Sequence, residues 1–365
     1  MQDTHGGNIY RLAEKLGIEE SEIIDFSASI NPLGVPKSVI SEIKDTAKHL
    51  CNYPDPDAKQ LRLWLAQHLN VNSKSVLCGN GSTELIYLVV RALRPEKVLI
   101  PAPTFSEYER AVRDKGKIAH FRLSEQDGFA IEPERFISAM AGGSTSASFK
   151  SALTASVDMV FLCNPNNPTG TLISRTDMMK LADAAKGLRC YLVIDEAFMD
   201  FSPEESMIKE VEHNPYLIVL RSLTKFYALS GLRIGYGIVP PVIMDIIKKY
   251  QEPWTVNTLA QAAGIAAIND TSYQNDTFKV IKSEKKVLED GFKLLGIEYF
   301  PSAANFYLLK LKNAQPIAAA LRDKGILVRD CSNFPGLDDS YLRVAVKSNR
   351  DNMQLLQELA NLCMA

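Results

Sequence analysis

The sequence predicts an α/β protein with a mainly parallel sheet sandwiched by helices, together with a smaller α+β domain. Two observations predict the sheet: short apolar, β-branched runs recur along the chain, and amphipathic helical segments separate them. The runs cover 98–100, 159–163, 192–194 and 217–220, and the clearest helical segments cover 85–93 and 175–186. Ligands of such sheets gather at the carboxyl ends of the strands, so polar residues there are candidates for a site.

The last third of the chain has a different pattern and predicts the smaller domain. A long helical stretch over 259–295 comes first. Shorter segments follow it, strand-like over 307–311, 327–329 and 341–346 and helix-like over 316–324. We therefore expect a large domain over 34–255 and a small domain formed by 1–33 plus 256–365.

One segment inside the large domain has neither the strand pattern nor the helix pattern. Residues 142–156 are rich in Gly, Ser, Thr and Ala, which predicts a surface loop, with a functional lid as the alternative.

Composition places the chain among ordinary globular proteins. It has 365 residues, 46% of them hydrophobic and 23% charged, and a net charge of −2, which favours neither nucleic acid nor a membrane surface as a partner. The N-terminal residues lack a signal-peptide pattern. The six cysteines show no CxxC spacing, so we expect reduced thiols in a cytoplasmic protein and no metal site.

Lys225 is the most informative residue of the chain. It lies 30 positions after Asp195, which ends an apolar run. Ser222 and Thr224 precede it and Arg233 follows it, and two hydroxyls with a guanidinium can hold a phosphate dianion. An amine for an aldehyde, a carboxylate for a pyridine nitrogen and donors for a phosphate together predict pyridoxal 5′-phosphate, held by Lys225 as a Schiff base. A lysine with none of these neighbours would be better explained as a solvated side chain.

Two further residues follow predicted strands. Asp195 would keep the ring nitrogen of the cofactor protonated, although aspartate also suits a helix cap. Asn167 lies in the loop NPNNPTG (164–170) and could donate a hydrogen bond to the ring oxygen of the cofactor. The prolines, asparagines and glycine of this loop would also explain a tight turn that binds nothing.

Three more cofactor contacts are expected earlier in the chain. Ser82 and Thr83 lie in GNGSTE (79–84), before a helix predicted to start near residue 85, where backbone N–H groups favour a phosphate. Ser82 could also serve as an N-cap. Phe105 could stack on the pyridine ring, with a place in the core as the alternative.

The motifs GNGSTELI, PAPTF, NPNNPTG, DEAF, SLTKFYALSGLRIGYG and YLRVAV appear in this order over nearly the whole chain. This set resembles the fold-type I pyridoxal-phosphate enzymes of aminotransferase class I/II, and within them the histidinol-phosphate aminotransferase branch. The segments 5–10, 25–34 and 329–337 are similar to those of the L-threonine-O-3-phosphate decarboxylases of cobalamin biosynthesis. That resemblance implies decarboxylation of L-threonine O-3-phosphate to (R)-1-amino-2-propanol O-2-phosphate. The alternative is a histidinol-phosphate or related amino-acid aminotransferase that uses a keto-acid acceptor.

The resemblance also implies roles for residues that the spacing leaves unassigned. It implies a homodimer with shared sites, in which Tyr53 reaches the cofactor phosphate of the partner subunit. Arg343 would bind the substrate carboxylate, and Asn31 would lie in the segment that closes over it. Arg329 would bind the substrate phosphate, with help from His5, although His5 could equally belong to a frayed terminus.

Phe198 departs from the family pattern. Many of these aminotransferases have a tyrosine there, whose hydroxyl also contacts the cofactor ring oxygen, so Asn167 is left as the side-chain donor. A regulator's ligand-binding module on the same fold is the alternative from another functional class.

Overall fold

The computed structural model describes residues 6–143 and 156–363. His5 and segment 144–155, which makes up most of the loop predicted over 142–156, lie outside these ranges. The helices are α1 (Ile9–Leu16), α2 (Lys37–Thr46), α3 (Lys59–Leu69), α4 (Gly81–Leu93), α5 (Glu107–Val112), α6 (Pro133–Met140), α7 (Arg175–Leu188), α8 (Pro241–Lys248), α9 (Thr258–Asn269), α10 (Thr271–Leu294), α11 (Ala314–Asp323) and α12 (Asn349–Cys363). The strands are β1 (Ile24–Asp25), β2 (Val76–Gly79), β3 (Lys97–Ala102), β4 (Lys117–Arg122), β5 (Met159–Cys163), β6 (Tyr191–Asp195), β7 (Leu217–Ser222), β8 (Gly235–Ile238), β9 (Glu298–Tyr299), β10 (Phe306–Lys310), β11 (Ile326–Leu327), β12 (Arg329–Asp330) and β13 (Tyr341–Ala345).

A seven-stranded sheet forms the centre of the molecule, in the order β2-β8-β7-β6-β5-β3-β4. Strand β8 runs antiparallel to β2 and β7, and the other neighbours are parallel. All residues of β5 and β7 are buried, as expected for strands covered on both faces by helices. The predicted α/β architecture with a mainly parallel sheet is confirmed.

The C-terminal part forms a second, antiparallel sheet in the order β12-β13-β10-β9. Helices α10, α11 and α12 cover it, and their buried apolar side chains form a core of their own. Strand β1 pairs in parallel with β11, which joins the N-terminal segment to this smaller unit. None of the helices described is long and apolar enough to cross a membrane.

The prediction of one continuous helix over 259–295 is wrong, because two helices occupy this range. Asp270 separates α9 from α10, and its carboxylate accepts a hydrogen bond of 2.9 Å from the Tyr273 N–H as the N-cap of α10. The strand predicted over 327–329 is also split, because β11 pairs with β1 and β12 pairs with β13. Helix α9 packs against α2 and α3. The boundary expected at residue 255 stays a prediction.

Candidate active site

A cavity of about 540 Å³ lies at the carboxyl edge of the central sheet, between that sheet and the smaller one. Asp195 ends β6, Ser222 ends β7, and Asn167 follows β5, so parallel strands bring residues distant in sequence to one edge. The cavity is lined by most of the predicted site residues: Ser82, Thr83, Phe105, Asn167, Asp195, Ser222, Thr224, Lys225, Arg233, Arg329 and Arg343.

Lys225 lies in the wall of this cavity, three residues beyond β7. Burial, together with the positive charges of Arg343 and Arg233, lowers the pKa of its amine to about 8, against the attraction of Asp195. Its Nζ lies 5.9 Å from the centre of the Phe198 ring. The amine is therefore neutral far more often than an exposed lysine at the same pH, which makes it a nucleophile and a proton carrier.

Asp195 is buried and also lines the cavity, and both of its carboxylate oxygens accept hydrogen bonds. Its Oδ1 accepts a hydrogen bond of 3.0 Å from the Ala197 N–H, and its Oδ2 accepts one of 2.8 Å from the Tyr108 hydroxyl. Burial raises the pKa of Asp195 to about 6, although the two hydrogen bonds oppose that shift. A cation against this carboxylate, such as a protonated ring nitrogen, would favour its ionised form.

Tyr108 is a functional residue that the sequence reasoning did not assign. Its ring is fully buried and stacks on Phe161 at 5.0 Å between centroids and 5° between planes, which holds the hydroxyl against Asp195. The only signal in the sequence was its place in the same segment as Phe105, three residues further on.

We expect Tyr108→Phe to raise the pKa of Asp195 above about 6, because the substitution keeps the stacked ring and removes one hydrogen bond to the ionised carboxylate. Carbon-13 NMR of aspartate carboxyls in the apoprotein, assigned with Asp195→Asn, measures the shift. Tyr307→Phe is the matched control, because it removes a buried hydroxyl that donates to Glu289 in the smaller unit. An Asp195 pKa that is the same in both variants would contradict the expectation.

The first turn of α4 forms a compact anion cradle with Arg233. Helix α4 begins at Gly81, not near residue 85, so the N-cap is Asn80 and the alternative role of Ser82 as N-cap is wrong. Gly81 has φ +78°, and a Cβ there would lie 2.6 Å from Nη2 of Arg233. The Ser222 and Thr224 hydroxyls lie 2.7 Å apart on the same wall.

The cavity therefore fits pyridoxal phosphate by its own chemistry. Backbone N–H groups at the start of α4, the paired hydroxyls and the Arg233 guanidinium suit a phosphate dianion. The space that Gly81 leaves open is filled by the guanidinium, so a larger side chain would disrupt the cradle. An amine and a buried carboxylate complete the set that an aldehyde and a pyridine nitrogen require.

Arg329 and Arg343 lie directly opposite each other on two neighbouring strands of the smaller sheet. They are register partners of antiparallel β12 and β13, and both are buried. Arg343 donates to the Ser27 carbonyl at 2.7 Å and to Asn167 Oδ1, while Arg329 donates to Asn333 Oδ1 at 2.8 Å. Like charges directly opposite each other are destabilising, and burial lowers the pKa of Arg343 to about 10. The two guanidinium groups are suited to bind anions in the cavity.

Two of the predicted site residues that the structure describes, Asn31 and Tyr53, do not line the cavity. The Asn31 side chain donates hydrogen bonds of 2.7 Å to the Phe226 carbonyl and to Thr277 Oγ1, so its amide is used within the protein. Tyr53 is 82% exposed and packs against Trp254 with ring centroids 5.0 Å apart. His5 lies outside the described residues, so its role stays a prediction.

Other lining residues were absent from the sequence-based set: Gly6, Ser27, Ala28, Ser29, Glu107, Arg110, Cys163, Ala197, Phe198 and Phe334. Glu107 is buried and accepts hydrogen bonds from Tyr87 at 2.7 Å and from Arg110 at 2.8 Å. Residues 27–29 belong to the resemblance segment 25–34, which could have drawn attention to them.

Comparison with known proteins gives a family and close relatives. The family model "Aminotransferase class I and II" matches residues 21–360. The threonine-phosphate decarboxylase of Salmonella typhimurium is 40% identical over 362 residues, which is 98% of this chain and 96% of that protein.

Two solved structures share the fold. The histidinol-phosphate aminotransferase of Clostridium acetobutylicum is similar with a TM-score of 0.85 and 32% identity, covering 94% of this chain and 99% of the other. The L-threonine-O-3-phosphate decarboxylase of Porphyromonas gingivalis is similar with a TM-score of 0.80 and 27% identity, covering 94% and 100%.

Proposed function

The chain belongs to the aminotransferase class I and II family, and on that basis we propose that it catalyses the decarboxylation of L-threonine O-3-phosphate. Its cofactor is pyridoxal 5′-phosphate. The observation that carries the proposal is the pair of buried arginines, Arg329 and Arg343, opposite each other beside Lys225. A short amino acid with a carboxylate and a phosphate supplies one anion for each guanidinium. The product would be (R)-1-amino-2-propanol O-2-phosphate, an intermediate for cobalamin biosynthesis.

In this proposal the cofactor is held at three points. The first turn of α4, with Ser222, Thr224 and Arg233, would hold its phosphate, Asp195 would hold its ring nitrogen, and Lys225 would bind its aldehyde carbon. Phe105 would pack against the ring, and Asn167 would donate a hydrogen bond to the ring oxygen. When bound, the cofactor supplies an electron sink for the pair of electrons left at the substrate Cα.

The choice of reaction depends on how the substrate is oriented. Arg343, fixed by its hydrogen bonds to Ser27 and Asn167, would orient the carboxylate so that the bond from Cα to the carboxylate carbon is the one activated by the cofactor, and CO2 would leave. The Lys225 ammonium would then donate the proton that replaces CO2 at Cα.

Histidinol-phosphate aminotransfer is the second candidate, favoured by the likeness to the Clostridium acetobutylicum enzyme. Histidinol phosphate carries a phosphate and no carboxylate, so in that half of the reaction both arginines would have to serve a single anion, and the carboxylates of the keto acid would meet them in the other half. In that reaction Lys225 would take the proton from Cα, and a keto acid would be required as acceptor.

The test is to incubate the holoenzyme with each phosphorylated substrate, with and without 2-oxoglutarate, and to measure CO2 and glutamate. We expect CO2 from L-threonine O-3-phosphate without 2-oxoglutarate, and at least about 10²-fold lower kcat/KM with L-threonine, which lacks the phosphate that would form charge-assisted hydrogen bonds in the cavity. Glutamate from histidinol phosphate with no CO2 from threonine phosphate would eliminate the proposal.

We also propose that the enzyme is a homodimer in which Tyr53 completes the partner's site. Tyr53 and Trp254 form an exposed aromatic pair, and Trp254 is 47% exposed, which is typical of residues at protein interfaces. Light scattering on the wild type and on Tyr53→Ala, together with the retention of cofactor, tests this arrangement. A wild-type monomer with full activity would contradict it.

A cytoplasmic location is part of the proposal. The six cysteines are free thiols, and Cys78, Cys163, Cys190 and Cys331 are buried, as expected in a reducing compartment. Cell fractionation with an antibody to the protein tests this, and recovery in an oxidising compartment would contradict it.

A further inference from the structure

A buried ionic network joins Arg221 to Glu196 and Asp200. The Arg221 guanidinium donates to Glu196 Oε2 at 2.9 Å through Nη1 and to Asp200 Oδ1 through Nη2. Arg221 and Glu196 are buried, and the Asp200 side chain is mostly buried. All three lie outside the lining of the catalytic cavity, and Arg221 and Asp200 line a separate cavity of about 510 Å³. We call these three residues the Arg221 network.

The Arg221 network connects the ends of the two strands that carry the cofactor site. Arg221 directly precedes Ser222 in β7, and Glu196 directly follows Asp195 at the end of β6. Successive side chains of a strand point to opposite faces, so Asp195 and Ser222 line the cavity while Glu196 and Arg221 meet on the other face. The Glu196 N–H also donates to the Leu220 carbonyl of β7 at 2.8 Å. The ion pair therefore fastens β6 to β7 beside the cavity.

Asp200 extends this connection to the turn that follows β6. Between Glu196 and Asp200 the chain passes Ala197 and Phe198, and both of these residues line the catalytic cavity. The Ala197 N–H donates to Asp195 Oδ1 at 3.0 Å. Because the same guanidinium binds both ends of the turn, it holds the backbone donor that Asp195 uses.

Arg221 also borders the part of the cavity that suits a phosphate. In the antiparallel pair of β7 and β8, Arg221 lies opposite Tyr236 and Ser222 lies opposite Gly235. A Cβ at Gly235 would clash with the Ser82 backbone nitrogen and would lie 2.9 Å from the Arg221 carbonyl oxygen. The ends of β7 and β8 and the first turn of α4 are thus in close contact, so a shift of the Arg221 backbone would reach the anion cradle.

Stability alone gives little reason for such a network. The desolvation of buried charges offsets much of their mutual attraction. Within the described ranges, Asp200 Oδ2 is buried without a hydrogen-bond partner, which adds to that cost. What the network provides is a fixed geometry, because a planar guanidinium holds two carboxylates in one arrangement.

We propose that Arg221 is a positioning residue for the cofactor: by binding Glu196 and Asp200 on the opposite face of the sheet, it fixes the spacing between Asp195 on β6 and Ser222 on β7. The inference rests on the cofactor of the proposed function and is independent of the choice of substrate. A bound cofactor would contact both strand ends at once, so its affinity depends on their spacing.

Arg221→Lys and Asp200→Ala test the proposal. Lysine keeps the positive charge but lacks the planar fork, and alanine removes one of the two carboxylates. Titration of the apoproteins with pyridoxal phosphate, followed by absorbance, should give a dissociation constant at least about tenfold above that of the wild type, as for the loss of one hydrogen bond to a charged group. Carbon-13 NMR of the apoproteins should show the pKa of Asp195 raised above about 6, because the turn that carries the Ala197 donor is held less firmly.

Glu210→Ala and Arg62→Lys are the matched controls. Glu210 forms an ion pair of 2.5 Å with Arg175, and the Arg62 guanidinium donates to two backbone carbonyls at 3.0 and 2.9 Å. Each control removes an interaction of the same kind outside the lining of the catalytic cavity. Both should bind the cofactor within about twofold of the wild type and leave the pKa of Asp195 unchanged.

The outcomes separate this inference from the proposed function. If the wild type binds the cofactor but releases no CO2 from threonine phosphate, the proposed function fails and the cofactor titration still decides the role of Arg221. If CO2 is released but Arg221→Lys and Asp200→Ala match the controls in both measurements, the positioning role is overturned and the function stands. If only one variant keeps the circular dichroism of the wild type, that variant decides. Unfolding of both would also overturn the positioning role, since the network would then serve the fold as a whole.

Discussion

Replacing Lys225 with alanine is expected to lower kcat for CO2 release by at least about 10²- to 10⁴-fold, the range that a positioned proton carrier contributes. The loss should be larger still because the same amine binds the cofactor. Removing a partly buried cation from the cavity wall leaves the fold intact, so circular dichroism should be unchanged. Lys286→Ala is the control, since Lys286 lies on the exposed face of α10 and pairs with Asp290. Activity in Lys225→Ala within tenfold of the wild type would refute the assignment.

The Lys225 amine should lose its proton at a lower pH than an ordinary lysine. With its pKa lowered to about 8 by burial, Arg343 and Arg233, Lys225 in the apoprotein is mostly protonated below pH 8 and neutral above it. Its reaction with an acylating reagent should therefore rise with pH, reach half its maximum near pH 8 and level off above that pH. Lys286, whose pKa is raised by its hydrogen bond to Asp290, should continue to react faster well beyond that pH. Peptide mapping by mass spectrometry follows both lysines in one experiment.

Asp195→Asn should lower the activity of the enzyme and raise the stability of the apoprotein. The amide keeps the shape of the carboxylate but removes the anion against the cofactor ring, and we expect kcat to fall about 10²- to 10³-fold, as for other preorganised electrostatic groups. The same change should make the apoprotein more stable above pH 6, because the buried charge is removed. Steady-state kinetics and urea denaturation measure the two effects.

The raised pKa of Asp195 also determines how the stability of the apoprotein changes with pH. Asp195 has a folded-state pKa of about 6, above its ordinary value of 3.8, so the folded protein binds the proton more tightly than the unfolded chain. The stability that this provides is complete below pH 4 and is lost as the pH rises through 6. The two-unit difference corresponds to about 3 kcal/mol in the free energy of unfolding. A wild-type apoprotein whose stability is flat from pH 4 to 7 relative to Asp195→Asn would contradict this account.

Much of the central sheet and of the cofactor site followed from local sequence. The run 159–163 coincides with β5, and the other three runs lie within β3, β6 and β7, because fully buried parallel strands are continuous apolar runs. The residues around Lys225 could be assigned because each supplies a functional group that the cofactor needs. Because ligands of such sheets bind at the carboxyl ends of the strands, residues that follow separate strands could be predicted to lie in one site.

The sequence by itself determined the fold class and the cofactor and predicted the residues that would hold it, since apolar periodicity and chemical group type are properties of short segments. Only the tertiary structure decided that Tyr108 holds Asp195, that Asn31 is used within the protein, and that Arg329 stands opposite Arg343. Those relations depend on strand register and on contacts between segments far apart in the chain. No local pattern encodes them, because they arise only when the two sheets pack together around the cavity.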